Sequence, residues 1–281
     1  MNKIPDEFLG LHHCDCVEGM KGLPAECIDL TVTSPPYDQM RTYNDSSTWT
    51  EDVFKAVANE LFRITKEGGY VVWIVADSTK AGNESGTSFK EALYFKKTGF
   101  KLLDTMIWSK GGFSYPSNDH YPQTFEYMFV FTKGKGKTYH PIKDRRNIHV
   151  GKKPHWTYRQ RDGSITHPDL TNRNYKIAPE FGVRFNVWNI SPESHNATGH
   201  PAVFPLPIAA DHIRSWSNEG DLVLDPFSGS GTTAIACHHL NRRFIGFEID
   251  EVYFNLAKKH IAEETKQLSL FQGEESWQKK N

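Results

Sequence analysis

A short apolar run, Asp221–Leu224, enters Asp225-Pro226-Phe227-Ser228-Gly229-Ser230-Gly231-Thr232-Thr233, and a helical pattern follows as far as Leu240. Strand, Gly-rich turn and helix form a unit that brings backbone N–H groups close to a ligand. Gly229 and Gly231 permit the close approach, while Ser230, Thr232 and Thr233 bring hydroxyls to the helix start. Glu248 stands at the end of the next apolar run, Arg243–Phe247, where an acid accepts both hydroxyls of a ribose. A phosphate loop needs Gly-Lys-Ser/Thr, which does not follow here, and Asp225 would repel phosphate while suiting an ammonium group. A nucleoside with a cationic amino-acid tail fits these residues, and S-adenosylmethionine is such a ligand.

A second strand-end turn lies far upstream. Ile28–Val32 reads as a buried strand from its β-branched content, and it runs through Thr33 into Ser34-Pro35-Pro36-Tyr37. The two prolines lock φ and remove two backbone donors, and Pro36 holds Pro35 extended. What results is a rigid corner, rich in acceptors, with an aromatic ring beside it. Such a corner suits a planar group that carries N–H donors and needs a stacking partner.

Between and around these turns, strand and helix patterns alternate. Strands are expected at Phe8–Cys14, Tyr70–Val75, Lys101–Ser109 and Phe125–Phe131, and helices over about 50–65, 88–97, 206–217 and 251–266. Gly68-Gly69 is expected to end the first long helix. Alternation of this kind predicts a mostly parallel, doubly wound α/β sheet with its site at the strand C-termini.

The pattern breaks from Lys133 to Arg184, which holds 13 Lys/Arg against 4 Asp/Glu in a chain with 33 and 34 overall. A basic block inside an otherwise acidic protein suits a nucleic-acid surface, because phosphates reward clustered cations. His155, Trp156, Tyr158 and Tyr175 interleave it with rings. Cys14, Cys16, Cys27 and Cys237 lack CxxC spacing, and His12, His13, Cys14 and Cys16 read as strand alternation rather than metal ligands. No apolar run approaches the roughly 18 residues of a membrane span, and no signal-peptide pattern is present, so a cytoplasmic location is expected.

Ser34-Pro35-Pro36-Tyr37, then a basic insert, then Asp225 to Thr233, in that order, resembles the β-class DNA amino-methyltransferases. The resemblance covers nearly the whole chain. It implies a Rossmann-like S-adenosylmethionine-dependent methyltransferase sheet, circularly ordered with the catalytic half first. On this reading residues 1–132 form the catalytic half, 133–186 the inserted target-recognition region, 187–266 the cofactor half and 267–281 a flexible tail. Asp15 then matches the family's acid associated with the cofactor adenosine, His200–Pro205 its pre-cofactor motif and Glu248 its ribose ligand. A bacterial, archaeal or phage-type context goes with the family.

Amino groups of nucleobases are poor nucleophiles and lie inside the duplex, so the base must be flipped out. The Ser34 hydroxyl and the Pro35 carbonyl are then expected to accept the amino hydrogens, with Tyr37 stacked on the base. Ser in the first position goes with cytosine N4 more often than with adenine N6 in the family. Attack at cytosine carbon 5 needs a cysteine after a proline, and none of the four follows one. Arg41, Tyr43, Lys152, Lys153, Arg159, Arg161 and Arg173 are the expected contacts to double-stranded DNA. Phe113, Tyr115 and Tyr121 are candidates to fill the hole left by the base. Gln267–Phe271 resembles the short motif that bacterial proteins dock into the replication sliding clamp, and a helix-end patch packing on the core is the other reading. The sequence is silent on a restriction endonuclease partner.

Overall fold

The structure, a computed structural model, describes residues 4, 6–36, 49–111, 120–152, 157–166, 178–192 and 205–278, with the side chains of the last helix to residue 266. Its first half contains β1 (Gly10–His13), α1 (Cys16–Lys21), β2 (Ile28–Thr33), α2 (Glu51–Ile64), β3 (Thr65–Val75), α3 (Thr87–Thr98), β4 (Lys101–Ser109) and β5 (Phe125–Thr132). Its second half contains β6 (Val187–Asn189), α4 (Leu206–Trp216), β7 (Leu222–Asp225), α5 (Thr232–His239), β8 (Arg243–Glu248) and α6 (Glu251–Gln278).

Among the described residues these strands form one eight-stranded sheet in the order β1-β8-β7-β2-β3-β5-β4-β6. Every neighbouring pair runs parallel except those of β5, which is antiparallel to both β3 and β4. This is a mixed, Rossmann-like α/β sheet. From β2 the chain moves outward to β3, and from β7 it moves the opposite way to β8. The boundary between β7 and β2 is therefore the point where strand order reverses, and crevices open at such points beyond the strand C-termini.

Side chains alternate across the strands, so the two faces collect separate cores. Val71, Trp73 and Val75 of β3 pack with Leu222 and Leu224 of β7 beneath α1, α2 and α3. Val72 and Ile74, with Val223, meet Ile208 and Ile213 of α4 and Ala236 of α5 on the other face. Ile28 belongs to the first face while Leu30 and Val32 belong to the second, because a register irregularity between Ile28 and Leu30 resets the alternation. Each large apolar side chain buried this way contributes about 1.5–3 kcal/mol.

Helix α2 starts where Thr50 caps it, its hydroxyl accepting from Val53 N at 3.3 Å, with Glu51 and Asp52 in the first turn. The helix stops at Ile64, ahead of the expected Gly68-Gly69 terminator, and β3 begins at Thr65. Those glycines lie inside the strand instead. Gly68 has φ of +83°, and a Cβ there would run into the Lys137 side chain, so the position requires glycine. Helix α6 continues to Gln278 through the stretch expected as a flexible tail, with no proline between Glu251 and the C-terminus to stop it. The β6 strand, three residues long, has no counterpart among the sequence expectations.

The chain divides into two compact units, one of residues 1–140 and 186–281, the other Pro141–Phe185. Residues 133–140 of the expected insert thus belong with the sheet. Lys133 shows why: its ammonium group donates to Phe62 O and Thr65 O, both at 2.9 Å, and pairs with Glu26 at 3.3 Å. In the second unit, Arg145–Arg146 pairs with Phe181–Gly182, and Tyr158–Arg159 pairs with Ile165–Thr166, both antiparallel. Among the described residues no helix is long and apolar enough to cross a membrane.

Candidate functional site

Four adjacent parallel strands, β1, β8, β7 and β2, bring the sequence-identified residues to one edge of the sheet. Asp15 lies just beyond β1, Glu248 ends β8, Asp225 ends β7 and Ser34-Pro35-Pro36 leaves β2. Three inter-strand spacings separate the outer two, roughly 14–15 Å, which suits a nucleoside with an amino-acid tail. Ser34 and Pro36 are half-buried and Pro35 is buried. Tyr37, Arg41, Tyr43, Phe113, Tyr115, Lys153, Arg173 and residues 200–204 lie outside the described residues, as do the side chains of Gln267–Phe271.

Asp225 joins the two motifs. Its Oδ1 accepts from the Thr33 hydroxyl at 2.6 Å and from Phe227 N at 3.1 Å, and its Oδ2 accepts from the Thr233 hydroxyl at 2.7 Å. The residue is 1% exposed. Burial pushes its carboxyl above the usual range, and the three donors pull the other way. The sequence suggests Asp225 as a partner for a ligand ammonium; its oxygens here hold the start of the Gly-rich turn against the end of β2. Thr33, one residue before Ser34, carries no signal of a role in the sequence, and its partner lies 192 positions away.

The turn itself is built for close approach. Gly229 and Gly231 take φ of +49° and +86°, and Gly231 N donates to Ser228 O at 2.8 Å. Ser228 N donates to Phe247 O at 2.9 Å, which pins the turn onto β8. Ser230 and Thr232 exchange a hydroxyl hydrogen bond of 3.3 Å at the start of α5. Glu248 Oε2 accepts from Gly229 N at 2.8 Å and its Oε1 from Asp250 N at 2.9 Å. One backbone donor on each oxygen leaves each a further lone pair, the arrangement a vicinal diol requires. Burial raises the Glu248 carboxyl above its ordinary value despite those donors. Asp15 caps α1, its Oδ1 accepting from Val17 N at 2.9 Å and Glu18 N at 3.1 Å.

An aromatic corner stands beside the turn. Phe227 meets Trp49 edge-on at 5.3 Å and Trp73 at 6.2 Å between ring centroids. Sequence reasoning misses Trp49, whose one local signal is a large ring directly before the Thr50 cap. Asp77, which the sequence marks only as the end of a strand, is buried and accepts from Ser85 Oγ at 2.9 Å, from Ser88 N at 2.9 Å and from the Ser88 hydroxyl. It fixes the segment after β3 to the start of α3. A cavity of about 450 Å³, lined by Trp49, Phe54, Tyr94 and Glu91 among others, opens there.

The four cysteines are free thiols. Burial raises Cys14, pushes Cys16 up to about 12 and Cys27 up to about 11, and raises Cys237 further. His12 and His13 make ring hydrogen bonds to Phe8 O at 2.9 Å and Ile249 O at 3.1 Å. Of the expected DNA contacts, Lys152, Arg159 and Arg161 are described, and all three are exposed. Tyr121 is 96% exposed.

The chain matches a DNA methylase family model over residues 28–259. It is 48% identical over 252 residues to the orphan methyltransferase M.BamHII of Bacillus amyloliquefaciens, covering 86% of this chain and 92% of that protein. It is 28% identical to the type II methyltransferase M.SmaI of Serratia marcescens, covering 88% of each. Among solved structures it resembles TTHA0409, a candidate DNA modification methylase of Thermus thermophilus, in complex with S-adenosyl-L-methionine. That likeness has a TM-score of 0.61 at 28% identity, covering 90% of this chain and 93% of that one. The PvuII DNA methyltransferase, cytosine-N4-specific, shares the fold, with a TM-score of 0.64 at 20% identity over 89% and 84% of the two chains. Motif order, sheet topology and these relatives agree: the chain belongs to the DNA methylases, as a β-class amino-methyltransferase of the N4-cytosine or N6-adenine type.

Proposed function

We propose that this chain moves a methyl group from S-adenosyl-L-methionine to the exocyclic amino group of a flipped base at a specific double-stranded DNA site, the base being cytosine and the position N4. The observation that carries this reading is the Thr33–Asp225 hydrogen bond at the β7/β2 reversal, which holds the Ser34-Pro35 corner beside the Gly229–Thr233 turn. When bound, the cofactor supplies an electrophilic sulfonium methyl. Glu248 would take the ribose hydroxyls on its two remaining lone pairs, and Gly229 to Thr233 would line the approach. Asp15 keeps one carboxylate oxygen, beyond its capping role, for the adenosine end.

Ser34 and Pro35 do the positioning. A hydroxyl and a carbonyl accepting the two amino hydrogens favour a pyramidal nitrogen, whose lone pair then points away from the ring plane. Tyr37 stacks on the base. A neutral serine acceptor fits the family's usual pattern at cytosine N4. Attack at cytosine carbon 5 is disfavoured because none of the four cysteines follows a proline. The site of action is the cytoplasm of a bacterial or archaeal cell, where the DNA is.

Transfer of labelled methyl to DNA, followed by nucleoside analysis, tests the reading. The expected product is N4-methylcytosine, with transfer lost in Ser34→Ala. N6-methyladenine as the product would move the assignment to the other branch, and undiminished transfer in Ser34→Ala would remove this corner from the mechanism.

A further inference from the structure

Helix α6 continues past the elements it packs on. Tyr253 and Ala257 are buried, and His260 Nδ1 lies 3.3 Å from Ser230 O, beside the start of α5. Glu264 Oε2 then lies 3.8 Å from Nε2 of His239, the last residue of α5. Between those two contacts α6 passes from the Gly-rich end of α5 to its far end, and it continues to Gln278. At 1.5 Å per residue, positions 267–271 stand about 10–16 Å further along the axis than His260, on the side away from the Gly229–Thr233 turn.

Those positions are Gln267-Leu268-Ser269-Leu270-Phe271, three apolar residues set between acids, with Glu263 and Glu264 before them and Glu274 and Glu275 after. Their spacing does not make a core-facing stripe. Position 271 falls about 60° round a helix from position 268, while position 270 falls about 160° from it, so one helix face cannot bury all three. Ser269 and Gly273 are weak helix formers, and helices in water are held by packing more than by propensity, so this end can be released at little cost.

The acids decide the class of partner. Glu263, Glu264, Glu274 and Glu275, against Lys266 alone, repel DNA phosphates and an anionic membrane surface, so the occupant is a protein. A short peptide is held by pockets for a few apolar anchors, with hydrogen bonds fixing its register. Leu268, Leu270 and Phe271 supply the anchors, and the Gln267 amide supplies a donor and an acceptor. In order and spacing this is the motif that bacterial proteins dock into the replication sliding clamp. We infer that Gln267–Phe271 docks this chain onto that clamp. The docking segment lies away from the Gly-rich turn, so clamp and cofactor do not compete for one end of the molecule. Tethering to a clamp on DNA would raise the local concentration of duplex, to about millimolar for a short flexible link. The inference goes beyond the proposed methyl transfer and needs neither its base nor its site.

Calorimetric binding of the full-length protein to a purified bacterial sliding clamp, without DNA or cofactor, tests it. Gln267→Ala, a double variant with Leu270→Ala and Phe271→Ala, and a chain ending at Lys266 are compared with the wild type, each with its thermal melting curve. The expected result is saturable binding by the wild type, weakened about 10- to 100-fold in the double variant. Gln267→Ala should weaken binding with its melting unchanged, which packing of the apolar residues on the core would not produce. The truncated chain should not bind. Absence of wild-type binding, or binding that survives the truncation, overturns the inference. So does a double variant that melts lower while Gln267→Ala keeps full clamp affinity, which would return the apolar residues to the core. No methyl donor or DNA enters the measurement, so failure of clamp binding and failure of methyl transfer are read separately.

Discussion

At the scale of single residues, the centre of this protein is a buried carboxylate with three internal donors. Thr33→Val removes one donor from Asp225 while keeping the shape of the side chain. Leaving a buried acceptor short of a partner costs about 1–3 kcal/mol. The expected outcome is a lower urea midpoint of that size and weaker cofactor binding by calorimetry, with Thr33→Ser restoring both. A Thr33→Val protein with unchanged stability would show that the clamp does not hold the two turns. Glu248 gives a second test through pH. Its folded carboxyl is raised by burial above the unfolded value, so the folded state binds the proton more tightly. Its contribution to stability is therefore fully present below the unfolded pKa, near 4.5, and is lost as pH rises through the higher folded value. Compared with Glu248→Gln, the wild type should lose stability progressively as pH rises above about 4.5, read as the difference in urea midpoints between the two proteins.

At the scale of elements, the Gly-rich turn is seated on β8, and Gly246 makes that seat. A Cβ at Gly246 would collide with the Ser228 hydroxyl and with the Phe244 ring. Gly246→Ala should destabilise the fold by about 1–3 kcal/mol and weaken cofactor binding, because either the turn or the ring must move. Adding Ser228→Gly should recover part of the loss, which a calorimetric titration of the double variant would detect. Most elements are legible in the sequence: β2, β4, α2 and α3 have periodic apolar patterns with clear caps or breakers. The direction of β5 is not legible, since a buried strand reads alike parallel or antiparallel. Nor is β6, whose Val187 is 46% exposed and whose three residues are too few to show a period. Gly68-Gly69 misleads because a glycine pair that ends a helix looks like one that lets a strand pass under a neighbouring lysine. The candidate residues at the ends of β2, β7 and β8 stand out in composition and spacing, while Thr33 and Trp49 acquire their contacts only through partners distant in the chain.

At the scale of the whole molecule, charge is segregated. Residues 141–185 carry 10 Lys/Arg and 4 Asp/Glu, leaving 23 and 30 for the rest. The strand ends of the sheet carry Asp15, Asp225 and Glu248, acids that do not suit a polyanion; on the proposed reading Asp15 and Glu248 face the cofactor, while Asp225 is engaged between the two turns. The two binding events should therefore respond to salt in different ways. Binding of a polyanion releases condensed counterions, and for about five phosphate contacts the affinity falls roughly 500-fold between about 50 and 200 mM salt. The cofactor releases none, and its affinity should change little over that range, since the acids that face it are partly buried and screened less than surface charges. Anisotropy with a labelled duplex and calorimetry with the cofactor, across the same salt series, measure both. Arg184 is engaged with Asp144 and Arg145 with Phe185 inside the second unit, so replacing Arg184 should lower that unit's stability more than it flattens the DNA salt slope. Replacing Lys152, exposed and without an ion pair among the described residues, should flatten the slope by about one unit if it meets a phosphate and leave stability unchanged. An equal salt dependence for duplex and cofactor would mean that the basic block does not meet the phosphates, and its segregation from the acidic sheet would then need another cause.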